Sequence, residues 1–343
     1  MPKPLDLLVN KALQVNKLGD HFLLRLRQQV VGLAEDFWYN GQDSLFRLDM
    51  GTVFARKNRG PAHASLQGRG TKTSSAKASS VTSNAANLKK AKIWHAEPGE
   101  ISEKMWGDGF VTPGGNTING MLIKPLGLTK EMSVLDLSAG LGGRMRRTAE
   151  ETGAYITGLE PDAAIAVRGM QLSVKAGKRK HAPITHYDPA KLELNRLYDC
   201  IIARETFYRV PDRPTFFAAI GKHAKPHAQI AFTDYILDPE HSHHPAALAW
   251  KKNEKLANPM GLVEAAEAWA KVGFSLRVHE DLTSFYKAEV MVGLKRLMLY
   301  LASGIQPDQE TGVAVLRRIE TWKYRMAAID AGMKFYRFYG TKS

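Results

Sequence analysis

Two carboxylates and a run of glycines stand at a spacing that can grip a nucleoside. Asp136 follows the apolar pair Val134-Leu135, and Ser138-Ala139-Gly140-Leu141-Gly142-Gly143 follows Leu137. Glu160 stands twenty residues past Gly140, at the end of a second apolar run, Ala154-Tyr155-Ile156-Thr157-Gly158-Leu159. Glycines let backbone pass close under a ligand, and a carboxylate at the tip of the next strand can accept from both hydroxyls of a ribose. The order is D-x-x-x-G-x-G-G, which differs from the G-x-G-x-x-G of pyrophosphate binders.

Groups able to hold or move a proton follow other apolar runs. Asp188 ends one of them, Arg204-Glu205 lies just past Tyr198–Ala203 with Tyr208 close behind, and Tyr235 ends Ala228–Tyr235. A neutral amine brings its own lone pair and needs no strong base, whereas a phenol or carbon acid wants one. Glu205, Tyr208 and Tyr235 are the residues placed to serve such an acceptor. Trp106 could cover a cationic group, although a lid or core aromatic is the plainer reading. His241, His243 and His244 form H-x-H-H in a polar, Pro-containing stretch with no matching cysteine or carboxylate set. That pattern reads as a solvated loop rather than a metal site.

The elements that must position these groups alternate between strand and helix, which implies a doubly wound, mostly parallel sheet. Strands are expected at Val134–Leu137, Ala154–Leu159, Ile184–Tyr187, Tyr198–Ala203, Ala228–Tyr235 and Phe274–His279. A turn is expected at Lys225-Pro226-His227. Helices are expected from Gly143 to Gly153, from Pro161-Asp162 through Val174, and over Thr215–His223, Gly261–Val272, Ser284–Ala302 and Gly312–Ala331. Lys334–Thr341 closes the sheet as an antiparallel edge strand.

Three regions follow from composition: a helical arm over 1–55, a basic Ser/Ala/Gly-rich linker over 56–92, and the alternating domain over 93–343. Apolar residues at helical spacing, such as Leu5, Leu8, Val9, Ala12 and Leu13, mark the arm. The net charge is +14; residues 1–92 hold 15 Lys and Arg against 6 Asp and Glu, so most of the surplus lies there. The arm suits packing on the domain, on a second copy or on a protein partner; peripheral membrane contact is the lesser alternative. It lacks the arginine–aromatic interleaving of single-strand binders, which argues against nucleic acid. One cysteine, Cys200, rules out an internal disulfide and fits a reducing cytoplasmic setting. No apolar run approaches the ~18 residues of a membrane span.

From about Trp94 onward the chain resembles class I S-adenosylmethionine-dependent methyltransferases, and among them the phosphoethanolamine and related small-amine N-methyltransferases. Met105-Trp106-Gly107-Asp108-Gly109-Phe110-Val111-Thr112-Pro113-Gly114-Gly115 is similar to their lead-in segment, and Asp136–Gly143 to their cofactor loop. Thr233-Asp234-Tyr235 resembles the end of their fifth strand, and Trp322 through Lys342 has their spacing of aromatic and basic residues. The resemblance implies a seven-stranded Rossmann-like sheet with an N-terminal helical extension, and S-adenosylmethionine as cofactor. It implies that Asp136 orders the glycine turn and reaches toward the methionine amine. Ser138, Gly140 and Gly142 would line the turn, Glu160 would take the ribose, Asp188 the adenine amino group, and Arg204 would border the same crevice. The acceptor side departs from that pattern. Arg209 stands where those relatives have a histidine, Trp94 falls near their partner tyrosine, and Glu254 near a phosphate-clamping arginine. The departures point away from phosphoethanolamine, toward another amine or carbon acceptor, small or lipid-derived.

Two other functions compete. A methyltransferase-like interaction protein could keep the fold and lose catalysis, docking through its arm. A protein or nucleic-acid methyltransferase could use the basic arm to find its target, although the N/D-P-P-[YF] tetrapeptide of many such enzymes is absent.

Overall fold

Short runs of Val, Leu, Ile and Ala, buried on both faces, form the central strands, as a parallel sheet covered by helices requires. The computed structural model describes residues 92–343 apart from Gly304; the arm and linker expected over 1–91 lie outside the described residues. The chain begins with β1 (Lys92–Trp94), α1 (Glu100–Trp106) and α2 (Gly115–Ile123). The alternating core follows: β2 (Ser133–Asp136), α3 (Gly143–Thr152), β3 (Tyr155–Glu160), α4 (Ala163–Lys175) and β4 (Ile184–His186). Next come β5 (Tyr198–Arg204), α5 (Arg213–His223), β6 (Ala224–Ile236), α6 (Pro245–Asn253), α7 (Leu262–Ala270) and β7 (Phe274–Asp281). The last four elements are α8 (Thr283–Ala302), β8 (Ile305–Pro307), α9 (Gln309–Asp330) and β9 (Lys334–Lys342).

Seven strands form one sheet in the order β4-β3-β2-β5-β6-β9-β7, parallel except for β9, which runs antiparallel to both neighbours and so is an inner strand, not the edge strand expected for Lys334–Thr341. The winding reverses between β2 and β5, the switch point outside whose carboxyl ends such sheets bind their ligands. β1 and β8 pair in a separate two-stranded ribbon. Among the described residues no helix is long and apolar enough to cross a membrane.

Local chemistry sets the boundaries. Asp162 caps α4 by accepting from the backbone of Ala164 and Ile165, and Gly153 ends α3 in the left-handed region. Lys225-Pro226-His227 is not a turn; it lies inside β6 as an irregularity, where pairing with β5 shifts register and His227 takes φ 61°. Proline has no N–H for the ladder, so the strand bulges there instead of ending. The polar stretch after β6 is likewise more ordered than a solvated loop. His244 Nδ1 accepts the Ala246 backbone N–H and caps α6, while His241 pairs with Glu240 at 3.1 Å.

Trp106 is a core residue. Its ring meets Trp322 edge-on at 5.2 Å and lies directly on the Gly293 backbone of α8. A Cβ at Gly293 would fall 1.8 Å from the ring, so Gly293→Val should destabilise by about 1–3 kcal/mol, or roughly 2–10 °C in thermal melting. An unchanged melting temperature would contradict this packing.

Asp234, near the end of β6, ties down the turn after β5. Its carboxylate accepts from the backbone of Tyr208 at 3.0 Å and of Tyr235 at 2.9 Å. Burial pushes its pKa up to about 7, against the pull of those N–H groups. Between pH ~4 and ~7 the folded chain therefore holds a proton that the unfolded chain has released, and stability falls as pH rises across that window. Melting of the wild type and Asp234→Asn across pH should show the variant gaining on the wild type from pH ~4 to ~7, then levelling off. A pH-independent difference would contradict the assignment.

Candidate functional site

At the carboxyl end of β2 the backbone turns on Asp136. Its Oδ1 accepts from the Ser138 N–H at 3.0 Å and from the Ser138 hydroxyl at 3.1 Å. Arg144, in the first turn of α3, faces both oxygens: Nε donates to Oδ2 at 3.1 Å, and Nη2 lies 2.7 Å from Oδ2 and 2.8 Å from Oδ1. The same Nη2 donates to the Ser138 carbonyl at 2.9 Å. Asp136 thus orders the turn, and both of its oxygens are engaged by Ser138 and Arg144. A carboxylate only 1% exposed needs a cation beside it, and Arg144 is that cation.

Glu160 closes the other side of the turn. Its Oε2 accepts the Gly140 N–H at 2.8 Å and its Oε1 the Asp162 N–H at 3.0 Å. Each oxygen keeps a lone pair. Burial raises the pKa of this carboxyl, and the two backbone donors oppose the rise. Gly140 has φ 56°, and a Cβ there would fall 2.7 Å from a methyl of Val111. Val111 belongs to the lead-in segment, which crosses the turn so tightly that Gly143 donates its N–H to the Gly109 carbonyl at 3.1 Å. Glycines in this loop therefore admit the chain's own lead-in segment. Gly142 is the N-cap of α3. Asp188 is exposed and accepts the Ala190 N–H at 2.9 Å, while its neighbour Tyr187 is buried and donates to the Leu137 carbonyl at 3.3 Å.

Arg204, the last residue of β5, donates its backbone N–H to the Ser138 hydroxyl at 2.8 Å. Its guanidinium is 1% exposed; Nη2 donates to the Pro113 carbonyl, and Nε and Nη1 have no hydrogen-bond partner. Burial, and next the like charge of Arg144, bring its pKa down to about 10. Both are buried donors, which folded proteins rarely leave unpaired.

Beyond Arg204 lies a second cluster. Glu205 takes φ 51°, a conformation rare and strained for any residue with a Cβ. Its Oε2 accepts from the Tyr235 hydroxyl and from Arg325 Nη1, both at 3.2 Å, and its buried Oε1 has no partner. The Tyr235 and Tyr286 hydroxyls are 2.6 Å apart. Burial lifts both phenols well above their usual range, so both remain protonated donors. Tyr208 donates to Glu254 Oε2 at 3.0 Å, and Trp250 Nε1 donates to Oε1 at 2.7 Å. Arg325 clasps Glu254 through Nε at 2.5 Å and Nη2 at 2.7 Å, and stacks over Trp322 with its guanidinium carbon 4.8 Å from the ring centre. Burial alone would raise the Glu254 pKa, but Arg325 and the Trp250 N–H hold it down to about 2. Arg209 donates to the Glu205 carbonyl at 3.0 Å and lies exposed beside this cluster.

Glu205, Tyr208 and Tyr235, all expected near an acceptor, are thus brought into one hydrogen-bonded group. Sequence reading missed Arg144, Tyr286 and Arg325. Arg325 lies 120 residues from Glu205 on a helix inserted between the last two strands, and no local spacing could connect them. Arg144 could have been suspected, since a basic residue directly after the glycine turn faces the strand-end acid. Trp94 pairs with β8 and meets Tyr300 edge-on at 5.0 Å.

Comparison with known proteins agrees with this geometry. Residues 119–279 match a family described as "Methyltransferase domain". The chain is 25% identical over 137 residues to phosphoethanolamine N-methyltransferase 1 of Zea mays, covering 40% of this chain and 27% of that protein. It is 26% identical over 167 residues to a sterol 24-C-methyltransferase of Neurospora crassa, covering 47% and 44%. The chain therefore spans less than half the length of either curated relative. Among solved structures, Haemonchus contortus phosphoethanolamine N-methyltransferase 2 in complex with S-adenosyl-L-methionine superposes with a TM-score of 0.59 at 18% identity, covering 71% of this chain and 56% of that one. The strand order, the antiparallel β9 and the glycine turn after β2 give the chain the class I methyltransferase fold, and residues 119–279 are similar to a methyltransferase domain.

Proposed function

We propose that this chain is an S-adenosylmethionine-dependent methyltransferase acting on a small or lipid-derived acceptor, an amine in preference to others, and not on phosphoethanolamine. One observation carries the reading. A fully buried Arg204 guanidinium with two unpartnered donors stands beside a glycine turn whose Glu160 keeps two free lone pairs. The cofactor's carboxylate and its ribose diol are the groups that would satisfy both, so the residues present fit it. The names of the maize and Neurospora relatives support a nitrogen or carbon acceptor of modest size.

When bound, S-adenosylmethionine supplies a methyl already activated on a sulfonium. The chain's own work is then alignment and exclusion of water. Glu205 Oε1, buried and unpartnered, would accept the N–H of an amine, aim its lone pair and receive the proton that the nitrogen loses. Tyr235 and Arg325 fix that carboxylate from its other oxygen. The clasp of Arg325 on Glu254 supports the departure from phosphoethanolamine, because an acid now stands near the position of the relatives' phosphate-binding arginine. A docking role without catalysis is a second reading, favoured by how fully Glu254, Arg325 and Tyr208 satisfy one another.

Calorimetric titration with S-adenosylhomocysteine should give a dissociation constant in the micromolar range, about −8 kcal/mol. Glu160→Ala should weaken it by roughly 10–100-fold, the worth of hydrogen bonds to a charged group. No heat at millimolar ligand would end the proposal. With a panel of amines and a labelled methyl donor, Glu205→Gln should lower kcat by about 100-fold or more while leaving S-adenosylhomocysteine affinity in place. Methylation of carbon or hydroxyl acceptors alone would remove the preference for amines, and no turnover of any acceptor would favour the docking role.

A further inference from the structure

Arg144 changes which end of an amino-acid ligand the turn can read. Asp136, the acid at the tip of β2, accepts the Ser138 N–H and Oγ–H on one oxygen, and the Arg144 Nε–H and one Nη2–H on the other. A carboxylate offers about four acceptor positions, so this one is saturated. The pair is nearly dry, with side-chain exposures of 7% for Arg144 and 1% for Asp136. Reopening it for a ligand ammonium would strand a buried guanidinium, which is strongly unfavourable.

On the far side of Ser138, Arg204 presents the opposite situation. Ser138 Oγ accepts from both arginines, from Arg144 Nη2 at 3.0 Å and from the Arg204 backbone at 2.8 Å, so one small residue bridges them. Arg204 Nε and Nη1 are buried and unpartnered. On this side of Ser138 the Arg204 donors are unpartnered, while the acid at the tip of β2 is spent. An anion completes this arrangement and a cation does not.

Resting on the functional reading above, we infer that Arg144 is a specificity-determining residue: by sequestering Asp136 it makes recognition of the donor depend on the α-carboxylate, through Arg204, and hardly at all on the α-ammonium. Arg144 is a positioning residue here and need not touch the ligand. It holds the turn, neutralises the acid and adds positive potential beside Arg204.

The test is calorimetric and does not depend on turnover. Three ligands are titrated into the full chain: S-adenosylhomocysteine, its decarboxylated analogue S-adenosyl-3-thiopropylamine, and its deaminated analogue S-adenosyl-4-thiobutyrate. Removing the carboxylate should cost about 100-fold or more in affinity, as loss of a bidentate charged pair does, and removing the amine less than about 5-fold. Arg144→Ala should free Asp136, so that the decarboxylated analogue regains affinity relative to the deaminated one by about 10-fold or more. The double variant Arg144→Ala with Asp136→Asn should cancel that shift. If the wild type loses as much affinity without the amine as without the carboxylate, the inference is overturned. Should Arg144→Ala fail to fold, Arg144→Lys, which keeps the charge but cannot chelate the carboxylate in two places, must show a partial shift in the same direction. Absence of binding by S-adenosylhomocysteine itself would instead defeat the functional reading.

Discussion

The Glu160 carboxylate is the constraint on which the rest of this structure turns. It accepts one N–H from the glycine turn after β2 and one from the start of the segment after β3, so a single side chain holds two loops in register. Charge-assisted bonds to backbone N–H are worth about twice a neutral one. With Glu160 in place, the carboxyl ends of β2 and β3 are locked, and the lead-in segment can close over Gly140. The turn is thereby preorganised before any ligand arrives.

A different logic holds the cluster beyond Arg204. Glu205 and Glu254 lie on separate elements, and Arg325 reaches both from α9. Such a group is stable only when every member is paired, because a stranded charge in this interior costs several kcal/mol. The aromatic rings of Tyr208, Tyr235, Tyr286, Trp250 and Trp322 exclude water around it. Within that closed group Glu205 Oε1 is an unpartnered acceptor, at a residue whose backbone is strained. Strain at a residue with an unpaired polar atom marks function more often than packing.

How much of this was legible in the sequence follows from distance along the chain. Strands β2, β3 and β5 could be read because their residues form continuous apolar runs, and Glu160 because its twenty-residue spacing from Gly140 is set by one strand–helix–strand unit. Glu205, Tyr208 and Tyr235 could be placed at one edge of the sheet because they stand at strand ends. What they touch could not be read, since α8 and α9 enter between β7 and β9 and bring Tyr286 and Arg325 from far away. The bulge at Pro226 was hidden for a related reason: a proline in a turn-like triplet looks the same whether the strand ends or bends. The role of Asp136 depended on one neighbour, Arg144, whose side chain could have faced solvent.

The most direct measurement is a crystal structure of the protein grown with S-adenosylhomocysteine. The account predicts both ribose hydroxyls within ~3 Å of the Glu160 oxygens and the ligand carboxylate on Arg204 Nε and Nη1, with Asp136 still clasped by Arg144. A ligand seated elsewhere, or one whose ribose leaves Glu160 bound only to backbone, would contradict it.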